Sequence, residues 1–171
     1  MDQIIINRFT TPLGQMIAGV SPKGLCLLEF ENDERVNGHL KHFGENLEII
    51  EDNSNSILIQ TQAQLSAYFK GELKEFNVAI DLIGTDFQCS VWRELSTIEF
   101  GKTRTYLDQA KALGDVKAIR AVATANGKNR IAIIVPCHRV IGSDGSLTGY
   151  AGELWRKKAL LELESNQTSL F

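Results

Sequence analysis

The spacing of apolar residues along the chain changes at Gly84-Thr85. Strand-like segments dominate before this point and helical segments after it, so two differently packed domains are predicted. Before Gly84, short apolar segments separated by turn signals are typical of a sheet with a few helices. The predicted strands cover residues 3–9, 15–20, 24–30 and 76–83, and the predicted helices cover residues 33–42 and 54–70. Residues 1–84 are therefore predicted to form an α/β domain.

Residues 85–165 are predicted to form a mainly helical second domain, followed by a tail over 166–171, so that the fold class is α+β. Thr85 or Asp86 can cap its first helix. Two short helices, over about 105–113 and 116–126, are joined by a turn so short that a helix-turn-helix is predicted. A buried strand over 131–135 and a last amphipathic helix over about 153–164 complete this domain.

Charge is unevenly distributed along the chain, although the net charge of −3 at first argues against binding to a polyanion. Residues 1–84 have a net charge of −6, and residues 85–171 have a net charge of +3. Between Lys102 and Arg139, eight basic residues accompany only two acidic residues. Because salt screens charges beyond about 10 Å, this local excess predicts a nucleic-acid face in the second domain.

The three cysteines, Cys26, Cys89 and Cys137, lie far apart and form no CxxC pair, which argues against a disulfide framework and a cysteine-rich zinc site. His39 and His42 can share a helix face, but no third ligand lies nearby, and they are interpreted as a solvated surface pair. We therefore expect no metal and no cofactor. No apolar run is long enough to cross a bilayer, and we expect a cytoplasmic monomer.

Cys137 is the candidate nucleophile because His138, the only histidine of the second half, follows it directly. A lone buried cysteine is usually inert, so the neighbouring residues decide the interpretation. Adjacent side chains on an extended chain point to opposite sides, and a water can then relay the proton between them. A carboxylate behind the histidine would fix its tautomer, and Glu162 and Glu164 are both candidates.

The segment IVPCHRVIG at 134–142 resembles the active-site segment of the O6-alkylguanine-DNA alkyltransferases. The similarity continues in order and spacing over about residues 85–165, through NGKN at 126–129, GYAG at 149–152 and LLELE at 160–164. It implies a single-function member without the zinc regulatory domain, with a ribonuclease-H-like first domain that has a short antiparallel sheet. It also implies DNA repair by direct, irreversible transfer of a methyl or other alkyl group from O6-alkylguanine in duplex DNA, with O4-alkylthymine open as a second substrate.

The resemblance implies the roles of the reacting residues. Cys137 is the alkyl acceptor, His138 is the general base that works through a water, and Glu164 is its carboxylate partner. Asn129 braces the turn before the active site, and Tyr106 helps to stabilise the leaving guanine. Because the thioether product has no easy hydrolytic exit, the protein is expected to act once, as a stoichiometric reagent.

The resemblance further implies minor-groove binding by the helix-turn-helix and flipping of the target nucleotide, with Arg120 entering the duplex in place of the base. The expected guanine pocket consists of Val140, Tyr150, Ala151 and Gly152. The small residues that fit close approach to a groove are Ala118, Ala121 and Ala123. Helix propensity and close packing explain these alanines equally well. The other predicted DNA contacts are Lys117, Lys128 and Arg130.

Three positions depart from the family pattern. Arg130 stands where many relatives have proline, Ala151 where some have serine, and Glu153 where glycine is frequent. The charge of Arg130 is expected to touch phosphate. Glu153 is predicted to be the first residue of the last helix, where a carboxylate suits the helix dipole.

The tail, Gln167-Thr168-Ser169-Leu170-Phe171, is similar to the Q-x-[SD]-L-F peptides by which bacterial proteins bind the replication sliding clamp. Gln167, Leu170 and Phe171 are the predicted clamp contacts. The alternative is a tail that folds onto the protein's own surface.

Two other functions compete with alkyl transfer. The first is a cysteine hydrolase that uses Cys137 and His138, which would need an oxyanion hole and would leave the helix-turn-helix unexplained. The second is a lesion sensor or DNA-binding regulator that performs no chemistry.

Overall fold

The computed structural model describes residues 3–44 and 47–166, and the chain separates into two compact units that divide between Ile83 and Gly84. The first unit contains a four-stranded sheet and two helices, and the second consists mainly of helices. The α+β class predicted from the sequence is confirmed.

Three consecutive strands of the first unit form an antiparallel meander. They are β1 (Gln3–Thr11), β2 (Gly14–Ser21) and β3 (Gly24–Phe30), and β4 (Glu48–Glu51) pairs in parallel with β1. The order is β3-β2-β1-β4, so the expected antiparallel sheet gains one parallel edge strand. Gly24, with φ 154°, approaches Ala79 so closely that a Cβ would lie 2.7 Å from its carbonyl oxygen.

Two helices complete the first unit. The helix α1 (Asp33–Phe43) begins after Asn32, and α2 (Ser56–Phe69) begins after Asn55. Each asparagine side chain accepts from backbone amides of the first turn, which have no partner within the helix. A buried apolar cluster joins α1 to the sheet and consists of Ile4, Ile6, Ile17, Cys26, Leu27 and Val36.

Three predictions for the first unit were wrong or incomplete. Residues 76–83 form no strand and bridge β3 only at Ile80, through the two backbone hydrogen bonds of Leu25. The strand β4 was missed because it has four residues and pairs with a distant part of the chain. His39 is not a surface residue, since it is buried with Nε2 3.1 Å from Glu29, whereas His42 is exposed.

The second unit begins with α3 (Asp86–Leu95), which Thr85 caps in a reciprocal pair of hydrogen bonds with Gln88. The predicted helix-turn-helix consists of α4 (Tyr106–Ala112), a 3₁₀ turn over Val116–Ala118 and α5 (Ile119–Gly127). Two short parallel strands, β5 (Arg104–Thr105) and β6 (Val140–Ile141), pair beside it, and α6 (Leu154–Asn166) ends the described chain.

Three predictions for the second unit were wrong. Residues 131–135 form turns rather than a strand, with Ile133 at φ 70° and Val135 N donating to Ile131 O. A second 3₁₀ turn follows over Cys137–Arg139, so Cys137 does not lie on an extended chain as expected. Glu153 is not the first residue of α6 but precedes it, with φ 74°.

Within the described ranges, no helix combines the length and the apolar character needed to cross a membrane. Among these same residues, no three histidine, cysteine, aspartate or glutamate side chains converge to hold a metal ion.

Candidate active site

Cys137 begins a 3₁₀ turn and is half-buried in the second unit. Asn129 binds the chain on both sides of the preceding turn, because its Oδ1 accepts from Ile131 N at 3.0 Å and its Nδ2 donates to Val135 O at 2.8 Å. The same Nδ2 lies 3.3 Å from the Cys137 sulfur. A donor in this position favours the thiolate over the thiol.

His138 is fully buried behind Cys137 and pairs with Glu164 of α6. Its Nε2 lies 2.8 Å from Glu164 Oε2, and its Nδ1 has no hydrogen-bond partner among the described residues. Burial lowers the pKa of His138 below its usual value, against the attraction of Glu164. A neutral imidazole that donates from Nε2 to the carboxylate has its lone pair on Nδ1, so Nδ1 is the basic nitrogen.

Glu164 is the carboxylate that the structure places behind the histidine, whereas Glu162 is exposed, with Oε1 3.9 Å from Lys158 Nζ. Burial raises the pKa of Glu164, but attraction to His138 and hydrogen bonds from His138 and Arg139 outweigh it and lower the pKa to about 2. Glu164 is therefore ionised at neutral pH.

Arg139 is a site residue that the sequence argument missed, although it lies next to His138. Its Nε donates to Glu164 Oε1 at 2.7 Å, its Nη2 donates to Glu164 Oε2 at 3.2 Å, and its Nη1 donates to Ile98 O at 2.6 Å. This two-point pairing fixes the carboxylate and compensates its charge inside the protein. The signal in the sequence was an arginine within an otherwise apolar segment.

Lys157 is the second residue that was missed. Its side chain is fully buried, its Nζ donates to Thr148 O at 3.0 Å, and it lies 5.9 Å from the centre of the Tyr106 ring. Burial lowers the pKa of Lys157, and the negative charge of the Cys137 thiolate raises it. Its position in the last helix could have revealed it. Lys157 lies three residues before Leu160 and seven before Glu164, a spacing that places all three on the buried face of α6.

An open cavity of about 480 Å³ lies between the helix-turn-helix and the loop that precedes α6. Its lining includes five of the predicted site residues, which are Tyr106, Arg120, Ala123, Tyr150 and Ala151. The Tyr106 hydroxyl donates to Thr148 O at 3.0 Å. Cys137, Val140 and Gly152 lie outside this lining, and Val140 and Gly152 are buried.

The helix α5 has one buried face and one exposed face. Its buried face holds Asn126, which exchanges two hydrogen bonds of 2.8 Å with Gln109 of α4, and Ala125, whose carbonyl accepts from Trp92 Nε1. The predicted DNA-contact residues exposed on α5 or beside it are Lys117, Arg120, Ala121 and Lys128. Ala118 and Ala123 are half-buried. The surface therefore combines small side chains with cations.

Arg130 does not belong to this surface. Its side chain is buried, with the guanidinium 5.8 Å from the centre of the Trp92 ring. The expected phosphate contact by Arg130 is therefore wrong. Its guanidinium packs against the buried Trp92 ring of α3 instead of reaching the surface.

Two family models match nearly the whole chain. Residues 6–82 match the ribonuclease-like domain of 6-O-methylguanine DNA methyltransferase, and residues 86–166 match its DNA binding domain. Neither match includes the tail.

The chain is similar to curated proteins named methylated-DNA–protein-cysteine methyltransferase. The one from Mycobacterium tuberculosis H37Rv is 61% identical over 104 residues, which cover 61% of this chain and 63% of that protein. The one from Methanosarcina acetivorans is 44% identical over 158 residues, which cover 92% of this chain and 96% of that protein. The alignment thus spans less than two thirds of the mycobacterial protein but nearly all of the archaeal one.

Two solved structures have the same architecture. The OGT of Mycobacterium tuberculosis in complex with DNA superimposes with a TM-score of 0.84 at 42% identity, covering 96% of this chain and 95% of that chain. The O6-methylguanine-DNA methyltransferase of Pyrococcus kodakaraensis superimposes with a TM-score of 0.72 at 27% identity, covering 94% of this chain and 98% of that chain.

Proposed function

Because this chain belongs to the 6-O-methylguanine DNA methyltransferase family, we propose that it repairs DNA by transferring an alkyl group from O6-alkylguanine to Cys137. The observation that carries the proposal is the ordered set of contacts behind the cysteine. Glu164 fixes the tautomer of His138, the basic Nδ1 of His138 is buried with no partner within residues 3–44 and 47–166, and Asn129 Nδ2 touches the sulfur.

The transfer begins with the thiol proton of Cys137, which passes through a water to Nδ1 of His138. Glu164 stabilises the resulting imidazolium, because its own pKa of about 2 keeps it ionised. Lys157 and Asn129 stabilise the thiolate by charge and by hydrogen bonding.

The thiolate sulfur then attacks the alkyl carbon. The sulfur–carbon bond forms, the bond from that carbon to O6 breaks, and the guanine leaves with the electron pair and takes up a proton. Tyr106, whose hydroxyl contacts Thr148 O here, is the proposed donor to the departing base. The product is a thioether, so each molecule reacts once.

DNA is proposed to lie along the exposed face of α5, with its minor groove against Ala121 and the half-buried Ala118 of the preceding 3₁₀ turn. Arg120 enters the stack where the target nucleotide leaves, and the flipped base passes from the 480 Å³ cavity along Tyr150 and Ala151 until its alkyl group meets Cys137. Backbone groups of Val140 and Gly152 complete the guanine pocket.

Mass spectrometry of the intact protein after incubation with a duplex containing O6-methylguanine tests this function. We expect a single added CH₂ on Cys137, equal in amount to the lesion repaired, and none in Cys137→Ala. An unmodified protein that binds the lesion would instead identify a sensor. Catalytic turnover of an ester or amide without a stable adduct would identify a hydrolase. The same assay with O4-methylthymine tests the second substrate.

Clamp binding by Gln167, Leu170 and Phe171 concerns residues outside the described ranges and stays a prediction, as do the cytoplasmic location and the monomeric state. Fluorescence polarisation of a labelled tail peptide with a bacterial sliding clamp tests the predicted clamp binding. Saturable binding that is lost when Leu170 and Phe171 are both replaced by alanine would support it, and no binding would exclude it.

A further inference from the structure

Glu153 has a backbone conformation that is unusual for its side chain. Its φ of 74° lies in the left-handed region, which glycine adopts readily and other residues rarely. Its amide donates to Tyr150 O at 3.0 Å, and its carbonyl accepts from the amides of Arg156 and Lys157. Glu153 is therefore the last residue of the loop that lines the cavity, and its carbonyl accepts the first backbone hydrogen bonds of α6.

The side chains of Glu153, Trp155 and Arg156 contact one another in succession, and we call these three residues the clasp. Trp155 Nε1 donates to Glu153 Oε2 at 2.6 Å, and the Arg156 guanidinium lies 4.6 Å from the centre of the Trp155 ring. Arg156 Nη1 donates to Gly152 O at 3.2 Å. The carboxylate, indole and guanidinium of the clasp thus surround the turn at Glu153, whose φ is unfavourable.

The loop attached to the clasp is held at its other end as well. Thr148 O accepts from both the Tyr106 hydroxyl and Lys157 Nζ. Between these two anchors lie Gly149, Tyr150 and Ala151, which all line the 480 Å³ cavity. The first anchor uses residues already placed in the active site, whereas the clasp uses residues that the proposed chemistry leaves without a role.

We propose that Glu153, Trp155 and Arg156 are positioning residues for alkyl transfer, which hold the loop over 149–152 at the spacing that the flipped base requires. The inference rests on the proposed function. The three side chains act through the loop rather than on the reacting atoms. Trp155 is 51% exposed, so it is not a core residue.

The test separates binding from transfer in single-turnover kinetics with an O6-methylguanine duplex. Glu153→Ala removes the carboxylate acceptor, and Trp155→Phe keeps a ring for Arg156 but removes the indole N–H. We expect both to lower the first-order transfer rate at saturating DNA about three- to tenfold, with little change in the apparent Kd. Glu153→Gln keeps an acceptor oxygen and is expected to restore the rate. Lys158→Ala, an exposed change on the same helix, is the control.

Glu153→Gly separates the side-chain contact from the backbone conformation. Glycine tolerates φ 74° but cannot accept from Trp155, so the clasp predicts a slower transfer than in Glu153→Gln. A rate equal to or above that of the unchanged protein would assign the effect to backbone conformation alone and overturn the proposal.

Hydrogen–deuterium exchange of the segment 148–153 without DNA provides a readout that does not depend on activity. We expect faster exchange in Glu153→Ala and Trp155→Phe than in the unchanged protein. Unchanged exchange would overturn the clasp whether or not the protein transfers alkyl groups. If the unchanged protein is methylated and both variants match its transfer rate, the clasp fails while the proposed function stands.

Discussion

Glu164 accepts hydrogen bonds from two consecutive residues, with His138 Nε2 2.8 Å from its Oε2 and Arg139 Nε 2.7 Å from its Oε1. One carboxylate thus orients the His138 imidazole while Arg139 balances the charge of that carboxylate. Because the group is buried, removal of any member leaves a polar partner without compensation, which is costly inside a protein.

Glu164→Gln should slow alkyl transfer by about 10²-fold or more, because an amide no longer stabilises the imidazolium. It should also destabilise the fold by about 3 kcal/mol, because the Arg139 cation loses its counter-charge. Rates of methyl transfer and thermal unfolding measure the two effects. Glu162→Gln, on the exposed side of α6, should change neither, and an equal effect of both substitutions would refute the assignment of Glu164.

Stability should fall as the pH is lowered from 7 to 2. The pKa of Glu164 is lowered from 4.5 to about 2 in the fold, so its contribution is present above pH 4.5 and is lost as the pH falls towards 2. The lowered pKa of His138 acts in the same direction, because the unfolded chain takes up a proton below about pH 6.5 while the folded chain resists it.

The melting temperature measured across this range checks the sign. In His138→Gln, which keeps a donor for Glu164, the part of the loss that begins near pH 6.5 should disappear. A protein that becomes more stable on acidification over this range would contradict both assignments.

Lys157→Met should slow transfer at pH 7 by about tenfold and move the pH–rate profile to higher pH. The ammonium stabilises the Cys137 thiolate, so without it more base is needed to ionise the sulfur. The fold should not lose stability, because methionine fills the buried space without a charge to desolvate. Lys157→Arg keeps the charge and serves as control. A uniform loss of rate at every pH would show that Lys157 acts by shape alone.

Arg120→Ala should reduce repair of duplex DNA about tenfold or more while leaving the reaction with free O6-benzylguanine base unchanged. The side chain is proposed to replace the flipped nucleotide, and a free base needs no flipping. Arg93→Ala removes the same charge from an exposed site on α3 and is the matched control. Equal losses with duplex and free base would place Arg120 in the chemistry instead.

The sequence predicted most of the fold because capping residues and turn signals are local. Thr85, Asn32 and Asp115 each cap a helix or turn through their own side chains. It could not predict β4, whose partner β1 is more than 40 residues distant, or the single bridge at Ile80. These pairings depend on tertiary neighbours that no local pattern specifies.

The resemblance predicted that His138 and Glu164 lie together, whereas the burial of other charged side chains could not be predicted from the sequence. The pairing of His138 with Glu164 agrees with the prediction from the motif. Arg130 was expected on the surface because arginine usually lies there, but the Trp92 ring offers it a buried position. Lys157 and Arg139 were overlooked for the same reason, since their importance comes from interior contacts that a charge count does not reveal.

The helix α6 carries both Lys157 and Glu164, two turns apart, and Glu164 lies in its last turn before Asn166. Helix ends fray more easily than helix centres. Partial melting of that turn by heat or urea would separate Glu164 from His138 while the rest of the unit stays folded, so loss of the proposed alkyl transfer should precede unfolding. For protein engineering, this places a practical limit on the design of fusions after α6, since any linker there must preserve the final helical turn.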